Sequence, residues 1–167
     1  AGSRVSENTL RFDFNHSEAI TPEQLEEIES IVNSQILDNY SVTTELMPVD
    51  EAKRSGAMAL FGEKYGSVVR VVQIGPRSRE LCGGTHAERS GDIGFVSVLG
   101  EGSISAGVRR IEASAGWGAL KRHREQRRLI KRTVSLLKSS EHELEDRVAK
   151  LLDRGRDIER QLERLNQ

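Results

Sequence analysis

The sequence predicts an α+β chain: a mainly antiparallel sheet with packed helices, followed by a long antiparallel helical hairpin. Three observations carry this. Short β-branched runs and helical stretches intersperse over residues 1–115, and the connections look too short for parallel crossovers. Six of the seven aromatic residues fall before residue 100, which places the globular core there. From Trp117 onward strand signals nearly cease and apolar residues settle into helical spacing. The expected division is a body over residues 1–115 and a helical arm over residues 116–167.

Taken in order, Thr9-Leu10-Arg11-Phe12-Asp13-Phe14 alternates with period two, as a half-buried strand does. Thr21-Pro22-Glu23-Gln24 reads as a helix start with a capping box and proline in the first turn. Leu25, Ile28, Val32 and Ile36 continue it as one apolar stripe that ends near Asn39. A strand is expected over residues 42–47 and a short helix over 49–54, stopped by Ser55-Gly56. Residues 68–74 form a β-branched strand closed by Gly75-Pro76. Two further strands, 94–99 and 108–113, should flank a glycine-rich bend over 100–107.

In the arm, Leu120, Ile130, Val134 and Leu137 fit one long helix, and Ser140-Glu141-His142-Glu143 reads as a second capping box. Leu144, Val148, Leu151, Gly155, Ile158, Leu162 and Leu165 then step by four and three, which is a heptad seam. The short break between the two helices suggests an antiparallel pairing.

Charge separates the same regions. The net charge is −6 over residues 1–115, +7 over 116–140 and −2 over 141–167. No apolar run approaches the roughly 20 residues that span a bilayer, so no membrane partner is expected. One cysteine cannot make an internal disulfide, which suits a reducing, cytoplasmic setting.

Cys82 and His86 are the residues that point to chemistry. Thiolate and imidazole are both zinc ligands, and on a helical turn an i, i+4 pair can face one ion. The glycines between them bring bare backbone close to whatever binds. The spacing alone is more often that of two structural residues, and zinc requires four ligands, or three with water. Lys121, Arg122, Arg124, Arg127, Arg128, Lys131 and Arg132 place seven cations in twelve residues. So dense a charge fits a polyanion, contacted through phosphates because no aromatic interleaves to stack on bases. It equally fits a solvated face, or pairing with Glu141, Glu143, Glu145, Asp153 and Asp157.

Leu81-Cys82-Gly83-Gly84-Thr85-His86, followed by Ser90-Gly91-Asp92-Ile93-Gly94, resembles the second metal-binding motif of the alanyl-tRNA synthetase editing domain. The segment from Gly56-Ala57-Met58 to Glu63-Lys64-Tyr65 resembles another block of that family, and Gly107-Val108-Arg109-Arg110-Ile111-Glu112-Ala113 a third. The blocks stand in the family's order and spacing and cover roughly residues 1–115; a coiled coil follows in the family as it does here.

The resemblance implies the second additional domain fold of threonyl- and alanyl-tRNA synthetases. It implies hydrolysis of mischarged Ser-tRNA(Ala) and Gly-tRNA(Ala), within a ligase that attaches alanine to tRNA(Ala). Cys82 and His86 are then zinc ligands. Asp92 would orient water or the substrate ammonium group, Arg109 would hold phosphate or the terminal ribose, and Thr85 would hydrogen-bond the substrate. The plain alternatives are that Asp92 and Thr85 stabilise turns and that Arg109-Arg110 divide between a salt bridge and solvent. Met58, Leu60 and Phe61 are expected to pack beneath the pocket.

In the family the other two zinc ligands lie on an upstream His-x-x-x-His helix, and ATP belongs to a separate aminoacylation domain. Ala1-Gly2-Ser3 resembles the end of the segment after that helix, so the resemblance implies a fragment that binds zinc weakly. Two other readings remain. One is a coiled-coil interaction or oligomerisation module whose globular part is inactive. The other is a threonyl-type or free-standing editing domain, against which the Gly-Gly after Cys82 and the Gly-Val-Arg-Arg-Ile-Glu-Ala block argue.

Overall fold

Backbone hydrogen bonding explains most of the body, and one helix completes what the strands leave open. The computed structural model describes residues 2–7, 9–59 and 65–165. The chain divides into two compact units, Ala1–Leu120 and Lys121–Gln167. The first is α+β, with two antiparallel sheets. One sheet has the order β1-β2-β7-β6, from β1 (Ser3–Val5), β2 (Leu10–Asn15), β6 (Val96–Ser105) and β7 (Val108–Ala115). The other has the order β3-β4-β5, from β3 (Val42–Pro48), β4 (Val68–Ile74) and β5 (Ser78–Leu81).

Helix α1 (Pro22–Leu37) starts as its sequence dictates. The Thr21 hydroxyl accepts the Gln24 N–H at 3.3 Å, and Gln24 Oε1 accepts the Thr21 N–H at 2.9 Å. The chain leaves the helix through Asn39, whose φ of 53° lies in the left-handed region that asparagine tolerates. Of the expected stripe, Ile36 is buried, Leu25 and Ile28 are half-buried, and Val32 remains 37% exposed. Ile36 forms a core cluster with Val96 and Ala113. An apolar cleft of about 400 Å³ runs between α1 and this sheet, lined by Leu10, Phe12, Ile28 and Ile111 among others.

Strand β6 is an edge strand, and α1 satisfies its outward backbone. Asn33 Nδ2 donates to the Val96 carbonyl at 2.8 Å while its Oδ1 accepts the Val96 N–H at 2.9 Å. One turn earlier, Glu29 Oε2 accepts the Val98 N–H at 2.6 Å. A side-chain amide thus does what a neighbouring strand would do, and the start of the edge, at Val96 and Val98, is covered.

The second sheet packs its β4 residues Val69 and Val71 with Leu81, Ala52 and Ala57. Helix α2 (Val49–Arg54) follows β3 directly and stops at Ser55 and Gly56, the latter with φ 78°. The expected strands over 42–47 and 68–74 and the helix over 49–54 are present.

Three expectations are corrected, and two strands were not foreseen. Residues 100–107 do not form a glycine-rich bend, because β6 continues to Ser105 and only Ala106 and Gly107 turn. The ladder to β7 overrides the glycines, and register shifts between Val98 and Gly100 and between Ser103 and Ser105 absorb the irregularity. Strands β1 and β5 have no alternating signal; they form by antiparallel backbone pairing with β2 and β4. Met58 does not lie beneath a pocket but is 65% exposed, while residues 60–64 fall outside the described residues. Ser140 forms no capping box, since its hydroxyl donates to the Glu143 carboxylate at 2.8 Å and the helix begins only at Leu144.

The second unit holds most of helix α3 (Gly116–Leu137) and helix α4 (Leu144–Leu165), joined by residues 138–143. Arg147 Nε donates to the Leu137 carbonyl at 3.2 Å across this connection. The seam residues Val148, Leu151, Ile158, Leu162 and Leu165 are exposed.

Replacing Asn33 with alanine should lower the stability of the body by about 2 kcal/mol, because both polar groups of Val96 lose their partner in a partly buried position. Urea denaturation measures this; a midpoint equal to wild type would show that water replaces the amide without cost.

Candidate functional site

Cys82 follows the last residue of β5, and its N–H donates to the Arg70 carbonyl at 3.1 Å, extending the β4–β5 ladder by one bond. The chain then leaves the sheet. Residues 82–87 are not helical, which corrects the expected helical turn: two successive glycines give no helix propensity, and the segment bends at Gly84 instead. The Arg70 guanidinium donates from Nη1 to the Gly84 carbonyl at 2.5 Å. Downstream, the Val42 N–H donates to the Glu88 carbonyl at 2.9 Å, so the loop crosses from the β5 side of the sheet to β3. Arg70 lies directly opposite Leu46 and alternates with Val71, so the loop passes over the face that carries Val72.

In this loop Cys82 Sγ and His86 Nε2 both lie beside Gly84. A β-carbon built on Gly84 would lie 3.6 Å from the sulfur and 3.9 Å from the nitrogen. Both donors therefore face the same bare α-carbon. Cys82 is a free thiol and half-buried, and Thr85 and His86 are exposed. A soft thiolate and an imidazole suit zinc, so the pair fits half of a tetrahedral set. Among the described residues no group of three or more histidine, cysteine, aspartate and glutamate side chains could hold a metal ion.

Asp92 sits in a single 3₁₀ turn, Ser90–Ile93, where its Oδ2 accepts the Arg89 N–H at 2.9 Å. Its observed contact is thus that of a turn residue. Ser90, to which the sequence assigns no role, is the buried pivot of the turn: its hydroxyl donates to the Gln35 carbonyl at 2.8 Å and accepts the Tyr40 N–H at 2.9 Å. At Gly91 a β-carbon would stand 2.5 Å from Asn39 Oδ1, so any side chain there would displace the Asn39 amide.

Arg109 binds Glu101 with both ends of its fork: Nε to Oε1, and Nη2 to Oε2 at 2.7 Å. The side chains are 15% and 4% exposed. Arg110 pairs likewise with Asp13, at 2.6 and 2.9 Å. The alternative in which the two arginines divide between a salt bridge and solvent does not hold, because both are paired. Successive residues of β7 face opposite sides of the sheet, and an acidic partner on β6 or β2 meets each. The hydrogen bond from Arg109 holds the Glu101 carboxyl below its ordinary value, opposed by burial and aided by the arginine charge. Glu101 has no sequence signal of its own, although its place two residues from Ser103, the partner of Arg109 across the hairpin, gives it the same face.

No described hydrogen bond or ion pair joins Cys82, Thr85 or His86 to Asp92 or Arg109; the three groups lie on separate segments. The seven cations of α3 are all exposed. Among the described residues no salt bridge links them to the acidic groups of α4, of which Asp153 and Asp157 pair within their own helix, with Arg156 at 3.3 Å and Arg160 at 3.6 Å.

Residues 69–112 match the family described as the threonyl and alanyl tRNA synthetase second additional domain. The chain is 49% identical over 165 residues to the alanine–tRNA ligase of Pseudoalteromonas translucida, with 99% of the chain covered. It is 50% identical over 164 residues to that of Methylococcus capsulatus, and 48% over 166 residues to that of Haemophilus influenzae. The chain corresponds to a fragment of the alanine–tRNA ligases. It spans 19% of the length of these relatives. The matched 69–112 segment contains most of β4, all of β5, the Cys82–His86 loop, the 3₁₀ turn and most of the β6–β7 hairpin, and so includes both the donor pair and the Glu101–Arg109 pair.

The lowered Glu101 carboxyl sets a direction for acid sensitivity. A carboxylate whose folded-state value is depressed contributes stability above its ordinary value of 4.5, and that stability is lost as pH falls through the depressed one. Glu101→Gln should therefore be less stable than wild type at neutral pH and show a shallower decline below about pH 4.5. Denaturant midpoints measured across that range give the comparison, and parallel curves would mean that the pair is not coupled to folding.

Proposed function

We propose that this chain is the editing part of an alanine–tRNA ligase, with a deacylase body over residues 1–115 and a tRNA-contacting helical arm over residues 116–167. The convergence of Cys82 Sγ and His86 Nε2 on Gly84 is the observation that carries this reading. The substrates would be Ser-tRNA(Ala) and Gly-tRNA(Ala). The joining of alanine to tRNA(Ala), with its ATP requirement, would reside in other parts of the ligase. The compartment would be the cytoplasm.

Cys82 and His86 would contribute half of a zinc set. Bound zinc would supply a Lewis acid that polarises water or an ester carbonyl, or a fixed charge that orients substrate. The chain's own residues do the rest. The bare backbone at Gly83 and Gly84 lets the small aminoacyl group approach closely. Thr85 stands exposed beside the donors to hydrogen-bond it. Asp92 has one oxygen committed to Arg89, which leaves the other to orient a water or an ammonium group. Arg109 has two of its nitrogens held by Glu101, so only Nη1 is placed to meet a phosphate or ribose. Its fixed fork would make that contact rigid.

Lys121, Arg122, Arg124, Arg127, Arg128, Lys131 and Arg132 would hold tRNA phosphates. Their exposure, and the absence of described salt bridges to α4, support this. The exposed seam of α4 favours a second reading, in which the arm also pairs, as a hairpin with α3 or with another copy of the chain.

In the whole ligase, Cys82→Ala should reduce hydrolysis of Ser-tRNA(Ala) at least about 100-fold, as removal of a metal ligand does, and leave alanylation intact. Persisting hydrolysis would remove this loop from the reaction. The isolated chain should bind zinc weakly; one tightly held ion per chain would contradict the half-site. For the arm, Arg127→Ala with Arg128→Ala should weaken tRNA binding and flatten its salt dependence, by about one logarithmic unit for each phosphate no longer neutralised. Filter binding over a salt series reads this, and an unchanged slope would clear the helix of a phosphate role.

A further inference from the structure

We propose that Arg70 is the positioning residue of the Cys82–His86 pair, and that the bare α-carbon of Gly84 forms the floor between the two donors. The inference rests on the metal half-site proposed above and deepens it.

A single residue of β4 holds the loop twice. The main-chain carbonyl of Arg70 accepts the Cys82 N–H at 3.1 Å, and its guanidinium reaches Gly84 two residues on, donating to that carbonyl at 2.5 Å. The held peptides flank Gly83, which has no side chain to restrict it and nothing within 4 Å of a built β-carbon. Residues 82–87 belong to no helix or strand, so no regular ladder fixes the angle between thiol and imidazole. Two consecutive glycines have the greatest backbone freedom of any pair. The guanidinium clamp is what turns that freedom into one geometry, in which sulfur and nitrogen lie on the same side of Gly84. A metal pair needs such support, because ligands held by outer hydrogen bonds bind more tightly than free ones.

Gly84 is required for a different reason than strain. Its φ is outside the left-handed region, and an added methyl would meet Sγ and Nε2 at 3.6 and 3.9 Å, ordinary contact distances. Alanine therefore fits the fold but fills the space an ion shared by the two donors would use. Gly83→Ala meets nothing and serves as the control.

Cobalt(II) titration of the chain separates the possibilities, because the thiolate-to-cobalt charge-transfer absorption reports Cys82 as a ligand whatever the hydrolytic activity. Wild type and Gly83→Ala should give the band with similar affinity. Arg70→Met and Gly84→Ala should bind cobalt about 10- to 100-fold more weakly. Arg70→Lys, which can still donate one bond to the Gly84 carbonyl, should recover to within about 3-fold of wild type, since one charge-assisted bond is kept. Thermal unfolding of the metal-free variants checks the fold, and should Arg70→Met unfold, Gly84→Ala decides. A band of wild-type affinity in Arg70→Met and Gly84→Ala overturns the positioning role while leaving the half-site in place. Absence of the band in wild type at every cobalt concentration overturns the half-site and the positioning role together.

Discussion

The body depends on the way α1 is tied to the open edge of β6. A surface helix resting on an apolar face can slide, but Asn33 fixes this one by pairing with both polar groups of a single residue, Val96. Glu29 repeats the constraint one turn earlier at Val98. With α1 fixed in position, its last turn presents the Gln35 carbonyl to Ser90, and Ser90 in turn holds Tyr40 through its hydroxyl and through its N–H, which donates to the Tyr40 carbonyl at 2.8 Å. That junction fixes the downstream end of the Cys82–His86 loop, whose upstream end is fixed by β4 through Arg70. The loop is free by composition and anchored in fact, because two separate parts of the body hold its ends.

Electrostatics divides the arginines into two populations. Arg109 and Arg110 neutralise carboxylates within the first sheet, each through a two-point fork that matches carboxylate geometry. Partly buried pairs of this kind fix strand register more than they add stability, since desolvation offsets much of the attraction. The register shifts in β6 on either side of Glu101 make such a fastening useful, because a bulged hairpin has weaker registration of its own. The cations of α3 have no such described partners. Like charges crowded on one helix raise its energy when unpaired, and an anion would relieve that repulsion.

Much of the fold was legible from sequence where local signals agreed with tertiary demand. The Thr21 capping box, α2, and the β-branched run of β4 all form as their residues dictate. The failures have a common cause. β5 and the far half of β6 are strands only because a neighbour's backbone recruits them; Ser78-Arg79-Glu80 and Gly100-Glu101-Gly102 carry no intrinsic strand preference. Ser140 failed as a cap because its hydroxyl found the Glu143 carboxylate before the helix began. At the candidate site, the placement of Cys82 and His86 beside Gly84 was not legible, because the loop is held by Arg70 on a strand twelve residues away in sequence from Cys82. Glu101 was hidden for a related reason: a lone glutamate between glycines gains meaning only across the hairpin.

The geometry also bears on why a two-donor loop needs so much anchoring. A tetrahedral ion requires two more ligands than this pair supplies. When ligands come from separate segments, the affinity left after assembly depends on how much conformational freedom each segment must lose on binding. A glycine-rich loop hanging free would lose a great deal. Clamped at Cys82 and Gly84 by Arg70, and at its far end by Val42 and Ser90, this loop has lost most of that freedom on folding. On the proposed half-site, the cost of aligning sulfur and nitrogen would then be met by the fold, and a bound metal would need to align only the remaining donors. The same half-site would account for glycine over alanine at 84, where a side chain would hold the loop more stiffly but would occupy the space beside the sulfur and the nitrogen.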